Sequence, residues 1–285
     1  MKPLRAGGAA WVALAALLCV GAVVVTGFAF DGNVAPIASP FALALDWEPA
    51  LGLREAWRLW TGAWVHWSAA HLAVNAAGAA VLAFVGWRAR LAPAATLAWF
   101  LAWPLTQACM AAVGTERLAM LMPHYGGLSG VLHAGAIVLG LSLAWPREPA
   151  RTRARSGAGV TPVPADAGFA STHASAIEPS RISEGPWAMT EMGPPTGLPA
   201  ATPDPPPAGH EGAAALVDVD SRGRLIGLAI VIGTLVKVTL EAPWQLAPHA
   251  SDALGIAVAP VAHACGIAAG VLTWAGVRVL GDWRR

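Results

Sequence analysis

Ser129 stands between glycines in the run Gly126-Gly127-Leu128-Ser129-Gly130-Val131-Leu132-His133. Glycine backbone approaches a substrate closely and takes up angles that other residues refuse. An apolar run follows as far as Trp145, so a helix is expected to begin at or just before Ser129. Unpaired N–H groups and the helix dipole at such a start favour a developing oxyanion. The setting suits a nucleophile if a base lies at the same depth; the same small residues also suit plain helix packing.

Two other stretches supply partners. In His66-Trp-Ser-Ala-Ala-His71-Leu-Ala-Val-Asn75, His71 and Asn75 are four apart and share one helix face. Polar side chains inside a bilayer are costly, so each is a candidate functional group or an interhelical hydrogen-bond partner. In His263-Ala-Cys-Gly266-Ile-Ala-Ala-Gly270, the two glycines form a small-xxx-small face that brings a neighbouring backbone close. If that neighbour is the helix from Gly127, His263 reaches Ser129 within hydrogen-bond distance. A neutral histidine there takes the serine proton during attack and returns it to the leaving amine. Glu241 is the acidic residue nearest to a third member, but Lys237, one turn before it, is its expected partner. The expectation is a dyad.

The elements that must position these groups are membrane helices. Hydrophobic residues make up 56% of the 285-residue chain and charged residues 12%, about half the charged share of a soluble domain. Mean hydropathy is +0.55. Uncharged runs of about 20 residues recur, the length that crosses a bilayer core as a helix. Net charge is +1, and no basic patch with interleaved aromatics suggests nucleic acid. Cys19, Cys109 and Cys265 fall in apolar runs without CxxC spacing and read as small apolar filler. No HExxH motif points to a zinc protease.

The fold class expected is all-α: a polytopic membrane protein with six transmembrane helices and a disordered cytoplasmic insertion. Residues 1–146 form a membrane core with spans at about 9–30, 66–87, 93–113 and 127–145, and an interfacial, tryptophan-rich loop over 31–65. A short loop carrying Glu116, Arg117 and Pro123 follows the third span. Residues 147–222 are dominated by proline, glycine, serine, threonine and alanine and read as a disordered linker. Residues 223–285 return to the core with spans at about 224–242 and 254–280. Most flanking basic residues fall on one side, which puts both termini in the cytoplasm and the Ser129 turn on the extracytoplasmic face of an inner (plasma) membrane.

Taken in order, His66-x4-His71-x3-Asn75, Gly127-Leu128-Ser129-Gly130 and His263-x2-Gly266-x3-Gly270 resemble the rhomboid family of intramembrane serine proteases. Trp57-Arg58 with Thr61 resembles that family's first-loop motif. The resemblance covers roughly residues 10–145 and 223–281 and implies a six-span bundle. It implies that Ser129 is the nucleophile and His263 the general base, with His71 and Asn75 stabilising the oxyanion. Gly127, Gly130, Gly266 and His66 then have supporting roles. His133 replaces a tyrosine that packs on the catalytic histidine in many rhomboids. That change, with the compact core, resembles the rhombosortase subgroup and implies substrates bearing a glycine-rich C-terminal membrane anchor. No cofactor is expected, and the partners expected are membrane-anchored proteins and the lipid bilayer. Two other functions compete: a non-proteolytic binder of anchored clients, and a haem-binding electron carrier using His71, His133 and His263.

Overall fold

The computed structural model describes residues 6–29, 39–51, 53–146 and 210–283, without the side chains of 6, 7, 114, 115 and 210–220. The chain divides into two units, Met1–Arg147 with Ala215–Arg285, and Glu148–Ala214. Of the second, only the helical residues 210–214 are described.

Helices dominate. They are α1 (Ala6–Ala29), α2 (Pro40–Leu45), α3 (Arg58–Thr61), α4 (Ala69–Arg88), α5 (Pro93–Leu121), α6 (Ser129–Ala144), α7 (His210–Leu240) and α8 (Pro260–Trp283). Among the described residues, five stretches are long and apolar enough to cross a membrane: Gly8–Ala29, Ala69–Arg88, Pro93–Val113, Ser221–Leu240 and Pro260–Trp283. The sixth expected span, α6, has 16 residues, about 24 Å of helix, and is shorter than a full crossing. It packs against α4, α5 and α8, and ten of its side chains or glycines are buried. Its uniformly apolar sequence therefore reflects a central place in the bundle as well as the bilayer.

Several boundaries differ from the sequence reading. The second span begins at Ala69 rather than His66, because the Ser68 side chain caps the helix by accepting the His71 N–H at 3.0 Å. The third helix runs through Glu116 and Arg117 to Leu121, so those charges are helical and the loop is confined to 122–128. Residues 210–222, expected to be disordered, belong to α7; the rest of the expected linker, 147–209, lies outside the described residues. The last span does not start at Leu254. Residues His249–Ser251 (β1) and Ile256–Val258 (β2) pair antiparallel, and Pro260 begins α8. This hairpin is an addition to an otherwise helical chain, which stays compatible with the expected all-α membrane class.

The segment before α4 also departs from an interfacial loop. Its described part folds as short helical turns against the core, with Trp47, Ala63 and Val65 buried. Arg58 is only 8% exposed because Asp46 (2.8 Å), Glu48 (3.4 Å) and Glu55 neutralise it. Trp60 and Trp64 stack edge-on to Trp103 of α5, with ring centroids 5.1 and 5.3 Å apart. Trp57 alone of these tryptophans is more than half exposed, as the interfacial expectation required.

Candidate active site

The helix that starts at Ser129 is set by backbone contacts on both sides. Trp47 and Tyr125 exchange N–H···O bonds of 2.8 and 2.9 Å, joining the segment before α3 to the loop before α6. Gly127 N–H donates to Gly62 O at 3.1 Å. Gly127 has φ +137, and a Cβ there would lie 2.6 Å from His71 Cε1. Glycine is needed for the angle and for the approach of the imidazole.

The small-residue face of α8 docks on α6, as the spacing predicted. A Cβ on Gly266 would meet Gly130 O at 2.0 Å, and one on Gly270 would meet Ala134 O at 2.8 Å. A Cβ on Gly130 would in turn lie 2.8 Å from Ala262 O. These approaches bring the Ala262–His263 level of α8 against the Ser129–Gly130 level of α6. Ser129, His263, His71, Asn75 and His133 line one cavity of about 950 Å³. The walls come from α4, α6, α7 and α8, and the roof includes the β1–β2 hairpin. Ser68 of the α4 cap donates its hydroxyl to Leu254 O, tying that hairpin to the helix that carries His71.

His263 is 3% exposed and held from two sides. Its ring stacks on His133, with centroids 4.1 Å apart and planes 19° from parallel. His133 is fixed by donating its Nδ1 proton to Ser129 O at 2.6 Å. The stacked rings leave no room for a porphyrin between them, which removes this pair from a haem reading.

The other contact to His263 corrects the dyad expectation. Glu241 Oε2 accepts from His263 Nδ1 at 2.6 Å, while its Oε1 accepts from Lys237 Nζ at 2.6 Å. The pair with Lys237 is as expected, but a carboxylate has two oxygens and serves both partners. Partial burial by itself raises the Glu241 carboxyl; hydrogen bonds and charge from His263 and Lys237 outweigh that and hold it at about 2. An ionised carboxylate only accepts, so the Nδ1 proton belongs to His263 and the neutral ring keeps its lone pair on Nε2. Nε2 is buried without a hydrogen-bond partner, so the hydrogen bond expected between Ser129 and His263 is not made, although both residues line the same cavity.

On α4, the arrangement is a short relay. His66, fully buried, donates Nδ1–H to Trp64 O at 3.1 Å, so its Nε2 accepts from Asn75 Nδ2 at 3.1 Å. His66 lies behind the cavity wall and orients Asn75. The Asn75 amide has a second N–H to offer the cavity that it lines. His71 Nδ1 is buried and unpartnered.

Sequence reasoning missed two residues. Glu241 was assigned to Lys237 alone. Tyr125, the only tyrosine in the chain, directly precedes the double glycine, and that placement was the available signal. Its phenol is buried, interacts electrostatically with Ser129 and the Gly130 backbone, and makes no hydrogen bond of ordinary geometry. Burial pushes it up to about 12, against the opposing pull of Ser129. Elsewhere, Asp46, Glu48 and His124 place ligand atoms within 4.8 Å of one another, but the Arg58 guanidinium already supplies the cation there.

No family model, curated protein or solved structure matches this chain.

Proposed function

We propose that the chain is a rhomboid-type intramembrane serine endopeptidase. The observation that carries the reading is the shared cavity: a serine at a helix start, between glycines, lines it together with a buried histidine whose Nε2 has no hydrogen-bond partner. In this reading the Ser129 hydroxyl attacks a peptide carbonyl as His263 Nε2 takes its proton. The carbonyl oxygen becomes an oxyanion, and the Ser129 N–H, His71 and Asn75 are the donors that receive it. His263 then gives the proton to the leaving amine, and water hydrolyses the acyl-enzyme by the same route in reverse.

The substrate class follows from the cavity's surroundings. Its walls continue down the apolar faces of α4 and α6, past Val74, Gly78, Val81 and Leu132, and suit an apolar anchor. The scissile bond would lie beside the substrate's own transmembrane segment, and the resemblance to rhombosortases suggests a glycine-rich C-terminal anchor. Glycines there ease the local unwinding that exposes a carbonyl, because glycine is a poor helix former. The six-span bundle, the inner-membrane location and an extracytoplasmic active face belong to the same proposal.

The test is labelling of the purified full chain by a fluorophosphonate probe. Wild-type protein is expected to label, and Ser129→Ala and His263→Ala to lose labelling while keeping the wild-type elution volume and thermal midpoint. Absence of labelling in well-folded wild type, or labelling that persists in Ser129→Ala, refutes the peptidase reading; the first result favours a non-cutting binder.

A further inference from the structure

The contact between Glu241 and His263 joins two elements that otherwise touch lightly. Among the described side chains of α7, only Gly227 and Val238 are buried. Midway along the helix, Gly227 crosses α6, where a Cβ would meet Gly140 O at 2.5 Å and Ala144 N at 2.4 Å. At the C-terminal end, Glu241, one residue past the helix, reaches the His263 ring. Between these two points most of the helix face is exposed. A half-helix held at its midpoint and its C-terminal end and lightly packed between moves at low cost, and here the outer fastening is a bond to the candidate base.

We propose that Glu241 is a positioning residue for the Ser129–His263 pair, so that the placement of the outer end of α7 sets the orientation and proton affinity of His263. The inference rests on the peptidase reading and adds a third member to its machinery. The chemistry is that of a carboxylate behind an imidazole. By accepting from Nδ1, it holds the ring in the tautomer that leaves Nε2 basic. As the ring takes the serine proton and becomes imidazolium, the carboxylate stabilises the new charge without itself taking a proton. Lys237 on the other oxygen limits that effect and steers the carboxylate. The remaining titratable groups facing His263 are His133 on α6 and His71 on α4. Neither brings negative charge, which leaves this duty to Glu241.

The test uses the full chain and two independent readouts. The first is a far-downfield imidazole N–H proton resonance in a histidine-labelled sample. It is expected in wild type and in Ser129→Ala, and is expected to vanish in Glu241→Gln. The second is the pH profile of the fluorophosphonate labelling rate. Glu241→Gln is expected to lower the rate on the order of 10²–10⁴-fold and to shift the profile, with partial recovery in Glu241→Asp. Lys237→Met, which keeps the carboxylate on the ring, is expected to cost far less and serves as a second variant should Glu241→Gln fold poorly. A missing resonance in wild type overturns the proposal, as does a Glu241→Gln rate and profile equal to wild type or a Lys237→Met loss as large as that of Glu241→Gln. Labelling that is present but indifferent to Glu241 sinks this inference alone; labelling absent from wild type sinks the peptidase reading beneath it.

Discussion

Replacing Gly266 with alanine isolates the contact on which the site depends. A methyl at this position would stand 2.0 Å from Gly130 O and 2.8 Å from Gly130 C, whereas real Cβ atoms essentially never come within 3.0 Å. Both atoms are backbone, so no side chain can swing aside. The helices must part by about 1 Å, and that separation acts one turn from His263 and one residue from Ser129. Overpacking of this kind costs about 1–3 kcal/mol of stability, and a 1 Å misplacement at a reacting pair costs about 10²-fold in rate. Gly276→Ala on the same helix is the control, since a Cβ there meets nothing within 4 Å. The assay compares fluorophosphonate labelling rates and thermal midpoints of the two variants with wild type. Gly266→Ala is expected to label about a hundredfold more slowly and to melt lower, and Gly276→Ala to match or slightly exceed wild-type stability. Equal labelling rates for Gly266→Ala and wild type would refute the claim that this helix crossing sets the Ser129–His263 geometry.

Two further outcomes are expected. Arg58→Met leaves Asp46, which has no solvent exposure, with His124 but without its arginine partner. Removing one partner of a buried ion pair costs about 3–5 kcal/mol, so the thermal midpoint is expected to fall clearly, and a midpoint within error of wild type would contradict the buried-pair account. The second concerns acid. Glu241 is held below its ordinary value of 4.5, at about 2, so the unfolded chain binds its proton first as pH falls. The stability that it contributes is complete above about pH 4.5 and is lost towards pH 2. Glu241→Gln is expected to flatten that part of the stability–pH curve, measured as thermal midpoint at each pH; an unchanged acid limb would count against the Lys237–Glu241–His263 cluster.

Much of the candidate site was legible because its residues are short-range signals. The pair of glycines before Ser129, the four-residue spacing of His71 and Asn75, and the Gly266–Gly270 face each make sense within one helix turn or two. The small residues showed that a helix would dock closely on the Gly266–Gly270 face, and the structure identifies that helix as α6. Membrane character was equally plain from composition. Element ends were less so. Ser68, which caps α4, lies inside the span expected from His66, and Pro260 lies inside the span expected from Leu254 because the preceding strand, Ile256–Val258, is itself apolar.

What the amino-acid order determined by itself was the set of apolar helices, the glycine faces along which two of them meet, and the polar residues that do not belong in lipid. Those properties depend on side-chain size, periodicity and transfer free energy, which need no knowledge of the partner. Only the tertiary structure decided that Arg58 is buried, that His133 stacks on His263, and that Glu241 divides its oxygens between Lys237 and His263. Each of those outcomes turns on a residue from another element, 12 positions away for Arg58 and Asp46, 22 for Glu241 and His263, and much farther for His133 and His263. A charge tolerates burial only where a partner arrives to meet it, and the arrival is a property of the packed helices rather than of the local sequence.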